Sequence, residues 1–356
     1  MSRPIRVLVA EDSLTIRKRL VEVLSADPEL VVVGEAEDGK AAVELCQRLR
    51  PDVVTLDMMM PVMTGVAAAE HIMAYCPTPI LVVSASYNRG ELYRTYDALV
   101  AGAIDVLDKP RGDELDGDWE SRLRATVKLV SRIKVITHLR GRLGTAGRAG
   151  PGPTAPASPR DPRVQLEALA LGGSTGSPGA VVEILRGLPR GFPLPVLLVI
   201  HINEPFGRAF AEWLDAQLSV PVRYARDGER LAPGAGVLMA PPGRHLVVER
   251  GLLRLDDGPE RLSCKPSVDV LFASLARALG PAALGCLLTG MGRDGADGLL
   301  AMRRAGALTI AQDEATSVVF GMPREAILLG AAERVLPLQE IGPALLEAAR
   351  PARGAP

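Results

Sequence analysis

The sequence lacks any apolar run long enough to cross a bilayer. Its longest, Val196 to Ile200, falls far short of the roughly 20 residues a spanning helix needs. Nor does Met1-Ser2-Arg3-Pro4 lead into a signal-peptide core, because Glu11 and Asp12 interrupt the first apolar segment, so a cytoplasmic protein is expected. Net charge is also missing: 41 Lys and Arg face 42 Asp and Glu, a formal charge of -1. No overall basic field exists to hold nucleic acid or an anionic lipid surface, which excludes a nucleic-acid partner and direct membrane insertion as first readings. Cysteine is scarce, and Cys46, Cys76, Cys264 and Cys286 are scattered with no Cys-x-x-Cys spacing. That argues against a zinc site or a disulfide framework and for reduced thiols in the core.

What is present is enough chain for about two domains, 356 residues, each able to bury its own core. Part of the content of 36 glycines and 29 prolines falls between Gly141 and Pro162, a stretch too poor in large apolar groups to fold alone. It reads as a linker, and the tail from Pro351 to Pro356 reads as disordered. Before the linker, Ile5 to Ala10, Leu30 to Gly34, Val53 to Asp57, Ile80 to Ser84 and Ile104 to Leu107 read as buried strands. Leu14 to Leu24 and Ala41 to Leu49 show helical spacing between them. Five such units imply a doubly wound parallel sheet. Trp119 to Leu139, with apolar residues at Leu123, Val127, Val130, Ile133 and Val135, is expected to be the last helix of this half.

After the linker the same grammar resumes, with strands at Leu166 to Leu171, Val196 to His201, Ala283 to Leu288 and Ala307 to Ala311. Ala180 to Leu188, Val268 to Leu279 and Ala296 to Arg304 read as helices, and the Gly/Pro-rich stretch from Ala232 to Asp257 as inserted hairpins.

In an open parallel sheet, functional side chains gather beyond the carboxyl ends of the strands. Applied to the first half, this rule brings Glu11, Asp12, Asp57, Ser84 and Lys109 to one edge. Clustered carboxylates repel and call for a hard divalent cation with oxygen ligands, Mg²⁺. With phosphoryl oxygens on that ion, Asp57 becomes a nucleophile, Lys109 a countercharge and Ser84 a hydrogen-bond donor. Taken singly, each acid is as readily a solvated loop residue or a helix cap. Together the motifs Glu11-Asp12, Asp57-Met58-Met59-Met60-Pro61 with Gly65, Ser84-Ala85 and Lys109-Pro110 mean that residues 3 to 125 resemble the receiver domain of two-component response regulators. The resemblance implies a flavodoxin-like fold and phosphorylation of Asp57 by a histidine kinase. It also implies Mg²⁺ held by Glu11 or Asp12, Asp57 and the Met59 carbonyl. Val106 stands where many receivers carry an aromatic switch residue.

In the second half, Gly172-x-Ser174-x-Gly176 ends a strand and opens a helix, the small-residue pattern around an exposed nucleophilic serine. The same turn is open to two other readings, a phosphate cradle or a tight turn alone, although it has neither the Walker Lys-Ser/Thr nor the full dinucleotide glycine spacing. Of four histidines, His71 and His138 lie on helices where surface or packing roles suffice. His201 follows an apolar strand and is the candidate base, with His245 as its rival. Asp294, in the glycine-rich turn after a third strand, is the candidate orienting acid, or else a cap of the helix that follows. That turn also offers backbone N–H groups for an oxyanion.

These segments, together with 225–229, 240–243, 266–272, 288–292 and 320–326, resemble the catalytic domain of the CheB family of chemotaxis protein-glutamate methylesterases over residues 164 to 350. Residues 126 to 163 are then a helix extension and linker. The resemblance implies a mainly parallel α/β domain with Ser174 as nucleophile, His201 as base and Asp294 as orienter. Met291 N–H becomes the oxyanion donor and Thr175 an assisting neighbour, with no cofactor at the hydrolase site. Methyl-accepting chemoreceptors become the substrate, and an unphosphorylated receiver covers the catalytic mouth. Two departures touch substrate choice: Ser177 replaces a glycine after the nucleophile, and Asn203-Glu204 replaces prolines after the histidine. If Asp294 only orients an imidazole, Asp294→Asn lowers turnover by up to ~10⁴ with little change in folding, measurable by turnover and thermal melts side by side.

Overall fold

A computed structural model describes residues 3–85, 89–110, 117–133, 135, 164–202, 206–207 and 209–350. The stretch read as a linker, Gly141 to Pro162, and the tail from Pro351 lie outside the described residues, as do Asn203 and Glu204. The chain divides into two compact units, Met1–Ala146 and Gly147–Pro356.

In the first unit the strands β1 (Ile5–Ala10), β2 (Leu30–Ala36), β3 (Val53–Leu56), β4 (Ile80–Ser84) and β5 (Asp105–Asp108) pair in parallel in the order β2-β1-β3-β4-β5. Every residue of β3 and β4 is buried, which is why both appear as unbroken apolar runs: helices cover both faces of the sheet. Those helices are α1 (Leu14–Ser25), α2 (Gly39–Leu49), α3 (Gly65–Tyr75), α4 (Arg89–Val100) and α5 (Asp118–Val130). The Asp38 side chain accepts Ala41 N–H at 2.8 Å and so caps α2. Helix α5 buries Trp119, Leu123, Val127 and Val130, and the Trp119 indole N–H donates to Asp108 O at 2.7 Å. It stops short of the expected Leu139. Past Val130 the backbone closes a tight turn, with Arg132 N–H on Leu129 O and Ile133 N–H on Val130 O, and residues 136–139 lie outside the described residues.

The second unit is built on a seven-stranded parallel sheet, ordered β14-β13-β12-β6-β7-β9-β8. Its elements in chain order are β6 (Ala168–Gly173), α6 (Ser177–Arg186), β7 (Val196–Ile200), α7 (Phe210–Gln217), β8 (Val222–Tyr224), β9 (Val237–Met239), β10 (His245–Glu249) and β11 (Leu252–Asp256). There follow α8 (Val268–Ala278), β12 (Ala283–Leu287), α9 (Ala296–Arg304), β13 (Leu308–Gln312), α10 (Met322–Leu328), β14 (Arg334–Leu336) and α11 (Leu338–Ala348). Only part of Ala232 to Asp257 is the expected hairpin, the antiparallel pair β10 and β11. Val237–Met239 instead joins the main sheet as β9, because three consecutive buried apolar side chains suit a strand covered on both faces rather than a half-exposed ribbon.

Helices α8 and α9 pack together against this sheet, burying Leu271, Phe272 and Leu275 against Leu299 and Met302. Phe272 is fully buried there. Phe272→Ala is expected to lower the unfolding free energy of this unit by about 3–5 kcal/mol. Denaturant titration of a Trp119→Phe background, in which buried Trp213 alone reports, checks it.

Candidate active site and acidic pocket

Ser174 follows β6 directly, and His201 follows the adjacent β7; His201 N–H donates to Gly173 O at 3.1 Å, fixing the two strand ends side by side. The turn at Ser174 depends on small residues. Gly176 has φ +78°, and a Cβ there would stand 2.5 Å from Val318. A Cβ on Gly290 would stand 2.2 Å from the Met322 sulfur and 2.9 Å from Ser174 Cβ. Ser177 is buried, and its hydroxyl and backbone N–H both donate to Ser174 O. These two bonds tie the start of α6 to the Ser174 turn.

Asp294 lies in the turn between β12 and α9, buried, with Oδ2 2.9 Å from His201 Nε2. It does not cap α9, the helix that follows; it caps α8. Its carboxylate accepts Val268 N–H at 2.7 Å, Asp269 N–H at 3.1 Å and the Ser267 hydroxyl at 2.7 Å. Burial opposes charge on this carboxyl, yet the bonds from His201, Ser267 and the Val268 amide outweigh it and hold the group below the usual carboxylate range. His201 is also buried enough to disfavour its charged form, but the contacts with Asp294 and Cys264 overcome this and raise it to about 9.

His245, the rival base, has no nitrogen to spare. It is buried, its Nδ1 accepts Ser267 N–H at 3.1 Å, and its Nε2 bonds Pro259 O at 3.1 Å. It supports the residue that in turn holds Asp294.

Ser174 Oγ makes no hydrogen bond among the described residues, so the expected link from Ser174 to His201 is not made in this arrangement. With Nε2 on Asp294, the ring nitrogen left for Ser174 is Nδ1. Cys264 faces it instead, with Sγ at 3.7 Å. Cys46, Cys76 and Cys286 are buried as expected, but Cys264 is half-buried at this site and is no core thiol. Its loop approaches from far along the chain, so spacing could not reveal it.

The backbone N–H groups of Thr175 and Met291 donate to no acceptor among the described residues, as an oxyanion site requires. The turn carrying Met291 is held rigidly. Gly290 O accepts Gly321 N–H and Met322 N–H, Thr289 N–H donates to buried Gln312 Oε1 at 2.8 Å, and the Thr289 hydroxyl donates to Thr175 O at 3.0 Å. Gln312 and Ser267 are positioning groups that single-residue reading missed; Ser267 lies within the 266–272 motif, while Gln312 carries no signal.

In the first unit the strand ends bring the acids together as expected. Ligand oxygens of Glu11, Asp12 and Asp57 lie within 4.8 Å of one another, with Glu11 and Asp57 buried and Asp12 exposed. Lys109 Nζ bridges Glu11 at 2.9 Å and Asp57 at 3.0 Å. Asp57 Oδ1 accepts Met58 N–H at 2.7 Å, whereas its Oδ2 is buried without a partner. An orphaned carboxylate oxygen among three acids fits a hard divalent cation such as Mg²⁺. Met59 follows on the same turn, with an exposed side chain. Ser84 is buried at the end of β4, where its carbonyl accepts Lys109 N–H at 3.1 Å. Burial and the neighbouring Asp57 charge raise Glu11 to about 7 against the partial relief of Lys109.

A CheB methylesterase family model matches residues 169–345, and a response regulator receiver domain model matches residues 7–116. The protein-glutamate methylesterase/protein-glutamine glutaminase 2 of Anaeromyxobacter dehalogenans (strain 2CP-C) is 45% identical over 348 residues, 98% of this chain and 98% of its own. The chain belongs to the CheB methylesterase family. A second relative, protein-glutamate methylesterase/protein-glutamine glutaminase 4 of Myxococcus xanthus (strain DK1622), is 44% identical over 99% of both chains. The solved CheB methylesterase catalytic domain of Thermotoga maritima is 34% identical, covering 52% of this chain and 99% of its own with a TM-score of 0.49. Within this CheB family chain, Val106 is buried in β5.

Two outcomes follow for variants. Asn at 294 offers one acceptor oxygen where the carboxylate serves four donors, so Asp294→Asn is expected to cost about 1–3 kcal/mol of stability as well as turnover. Equilibrium denaturation of the variant checks this, against the smaller folding effect that the sequence suggested. At the acidic pocket, the raised Glu11 binds a proton in the folded state that the unfolded chain releases near 4.5. Metal-free stability therefore falls as pH rises from about 4.5 to about 7, and Glu11→Gln removes that dependence in chelator-treated thermal melts.

Proposed function

We propose that this chain is a phosphorylation-controlled hydrolase that removes methyl groups from glutamyl methyl esters on chemoreceptors and deamidates selected glutamines there. The buried Asp294–His201 pair beside the Ser174 turn is the observation that carries this reading. Ser174 Oγ attacks the ester carbonyl carbon, and His201 takes the hydroxyl proton. Asp294 holds the ring and stabilises its charge, while the N–H groups of Met291 and Thr175 receive the developing oxyanion. His201 then protonates the departing methanol, and water activated by the same ring frees the glutamate.

Control comes from the receiver, taken as residues 3–125, acting on a catalytic domain of residues 164–350. A histidine kinase supplies the phosphoryl group to Asp57. Mg²⁺, held by Glu11, Asp12, Asp57 and the Met59 carbonyl, supplies charge neutralisation for the phosphoryl oxygens. Lys109 balances the acids, and Ser84 donates to the new phosphoryl oxygen. Phosphorylation shifts the population from a receiver-covered catalytic mouth to an open one. The family resemblance, the receiver match and the convergent acids support this reading, which places the protein in the cytoplasm; no described helix is long and apolar enough to cross a membrane.

The test is methanol release from methylated receptor membranes by wild type and Ser174→Ala, each with and without a small-molecule phosphodonor and Mg²⁺. Release that needs Ser174 and rises with phosphodonor is expected. Release absent in every condition, despite labelling of Ser174 by a serine-reactive phosphonate, points to a hydrolase of another ester or amide. Absence of both points to a phosphorylation-dependent binding module.

A further inference from the structure

Cys264 has no part in the hydrolytic mechanism, yet it stands at its centre. It lies on the loop between β11 and α8, half-buried, with Sγ 3.7 Å from His201 Nδ1 and its hydrogen directed at Leu262 O at 3.4 Å. The opposite ring nitrogen is held by Asp294 at 2.9 Å. Ligand atoms of His201, Cys264 and Asp294 all lie within 4.8 Å of one another.

The three do not contribute alike. Both Asp294 oxygens already accept two hydrogen bonds each, so that carboxylate serves as an outer support rather than a ligand. An imidazole backed by a carboxylate on one nitrogen is how metal-ligating histidines are commonly held, and here the other nitrogen faces a thiol. A tetrahedral zinc ion with ordinary Zn–S and Zn–N bonds sets sulfur and nitrogen about 3.6 Å apart. The observed 3.7 Å meets that requirement without any movement of the ring. Neighbouring cations are turned elsewhere, with Arg261 on Asp269 and Lys265 on the Asp257 carbonyl.

We propose that Cys264 Sγ and His201 Nδ1 form a binding site for Zn²⁺ or a similarly soft divalent cation, and that its occupancy shuts off the hydrolase. Binding forms one Zn–S and one Zn–N bond. The thiol proton, and any proton on Nδ1, pass to solvent, and water completes the coordination with no change of oxidation state. The ion takes the ring nitrogen left for Ser174, so ester attack loses its base. Thiolate and imidazole select this class of ion, whereas the all-oxygen pocket of the receiver selects a hard one. The inhibitory consequence rests on the hydrolase reading above; the metal site itself does not.

The test uses the full chain in excess Mg²⁺, which fills the acidic pocket. Co²⁺ is added as a spectroscopic stand-in, and thiolate-to-cobalt charge-transfer absorption is recorded for wild type, Cys264→Ser and Cys264→Ala. The band is expected in wild type, displaced by Zn²⁺ and lost in both variants, with the three buried cysteines as an internal control. In parallel, Zn²⁺ is titrated into the methanol-release assay, each protein normalised to its own metal-free rate. Loss of an outer support alone weakens metal binding roughly 10–100-fold, so loss of the ligand is expected to raise the half-inhibiting Zn²⁺ concentration at least about tenfold. A wild type without the cobalt band, or variants as sensitive to Zn²⁺ as wild type, overturns the proposal. A thiolate band in a chain that releases no methanol supports the metal site and sinks the methylesterase reading instead.

Discussion

The second unit turns on one buried carboxylate. Asp294 is an ionised group taken out of water, a state that is costly unless every lone pair finds a donor. Here four donors meet it: an imidazole, a hydroxyl and two backbone amides at the start of α8. The same bonds that keep the charge stable dock a helix, fix the loop that precedes it and set the tilt of His201. The geometry of the Asp294–His201 pair and the stability of the fold are therefore one constraint, and neither can be altered at this position alone.

Much of this was legible in the sequence for a simple reason. Strands covered on both faces appear as unbroken apolar runs, and a parallel sheet sends its strand ends to one edge. Ile5–Ala10 and Ile80–Ser84 came out at their observed limits, and Ser174, His201 and Asp294 fall at three strand ends of one sheet. What stayed hidden follows from the same physics. β8, β9 and β14 are three residues long, too short to show a period. The second duty of Asp294 and the nearness of Cys264 to His201 arise from a loop folding back across the sheet edge, and no local pattern records that contact. The apolar spacing of α5 continues past Val130 at Ile133 and Val135, but periodicity does not register the tight turn that ends the helix.

The two sites share a construction rule and differ in how their charges are balanced. At the receiver edge, acids are packed beyond what a single lysine can offset; Glu11 is pushed toward neutrality and one oxygen of Asp57 is left unpaired. That edge is built to be completed by something brought from outside. At the hydrolase edge the single acid is saturated by internal donors, and the unspent capacity lies in backbone N–H groups and a ring nitrogen.

The strand order also governs how the molecule comes into being. All five receiver strands lie within the first 108 residues and pair in parallel with short crossovers, so that sheet can close early in synthesis. Central β6 cannot complete its own pairing then, because the partner of Ala168 on one side is Ala283. Contacts of such long sequence separation are slow to form and leave apolar strand edges uncovered meanwhile. During translation every strand of the receiver sheet is thus made well before the catalytic sheet can be completed, and the nascent catalytic half, with β6 and β7 made but β12 still unmade, carries an unpaired apolar edge along β6.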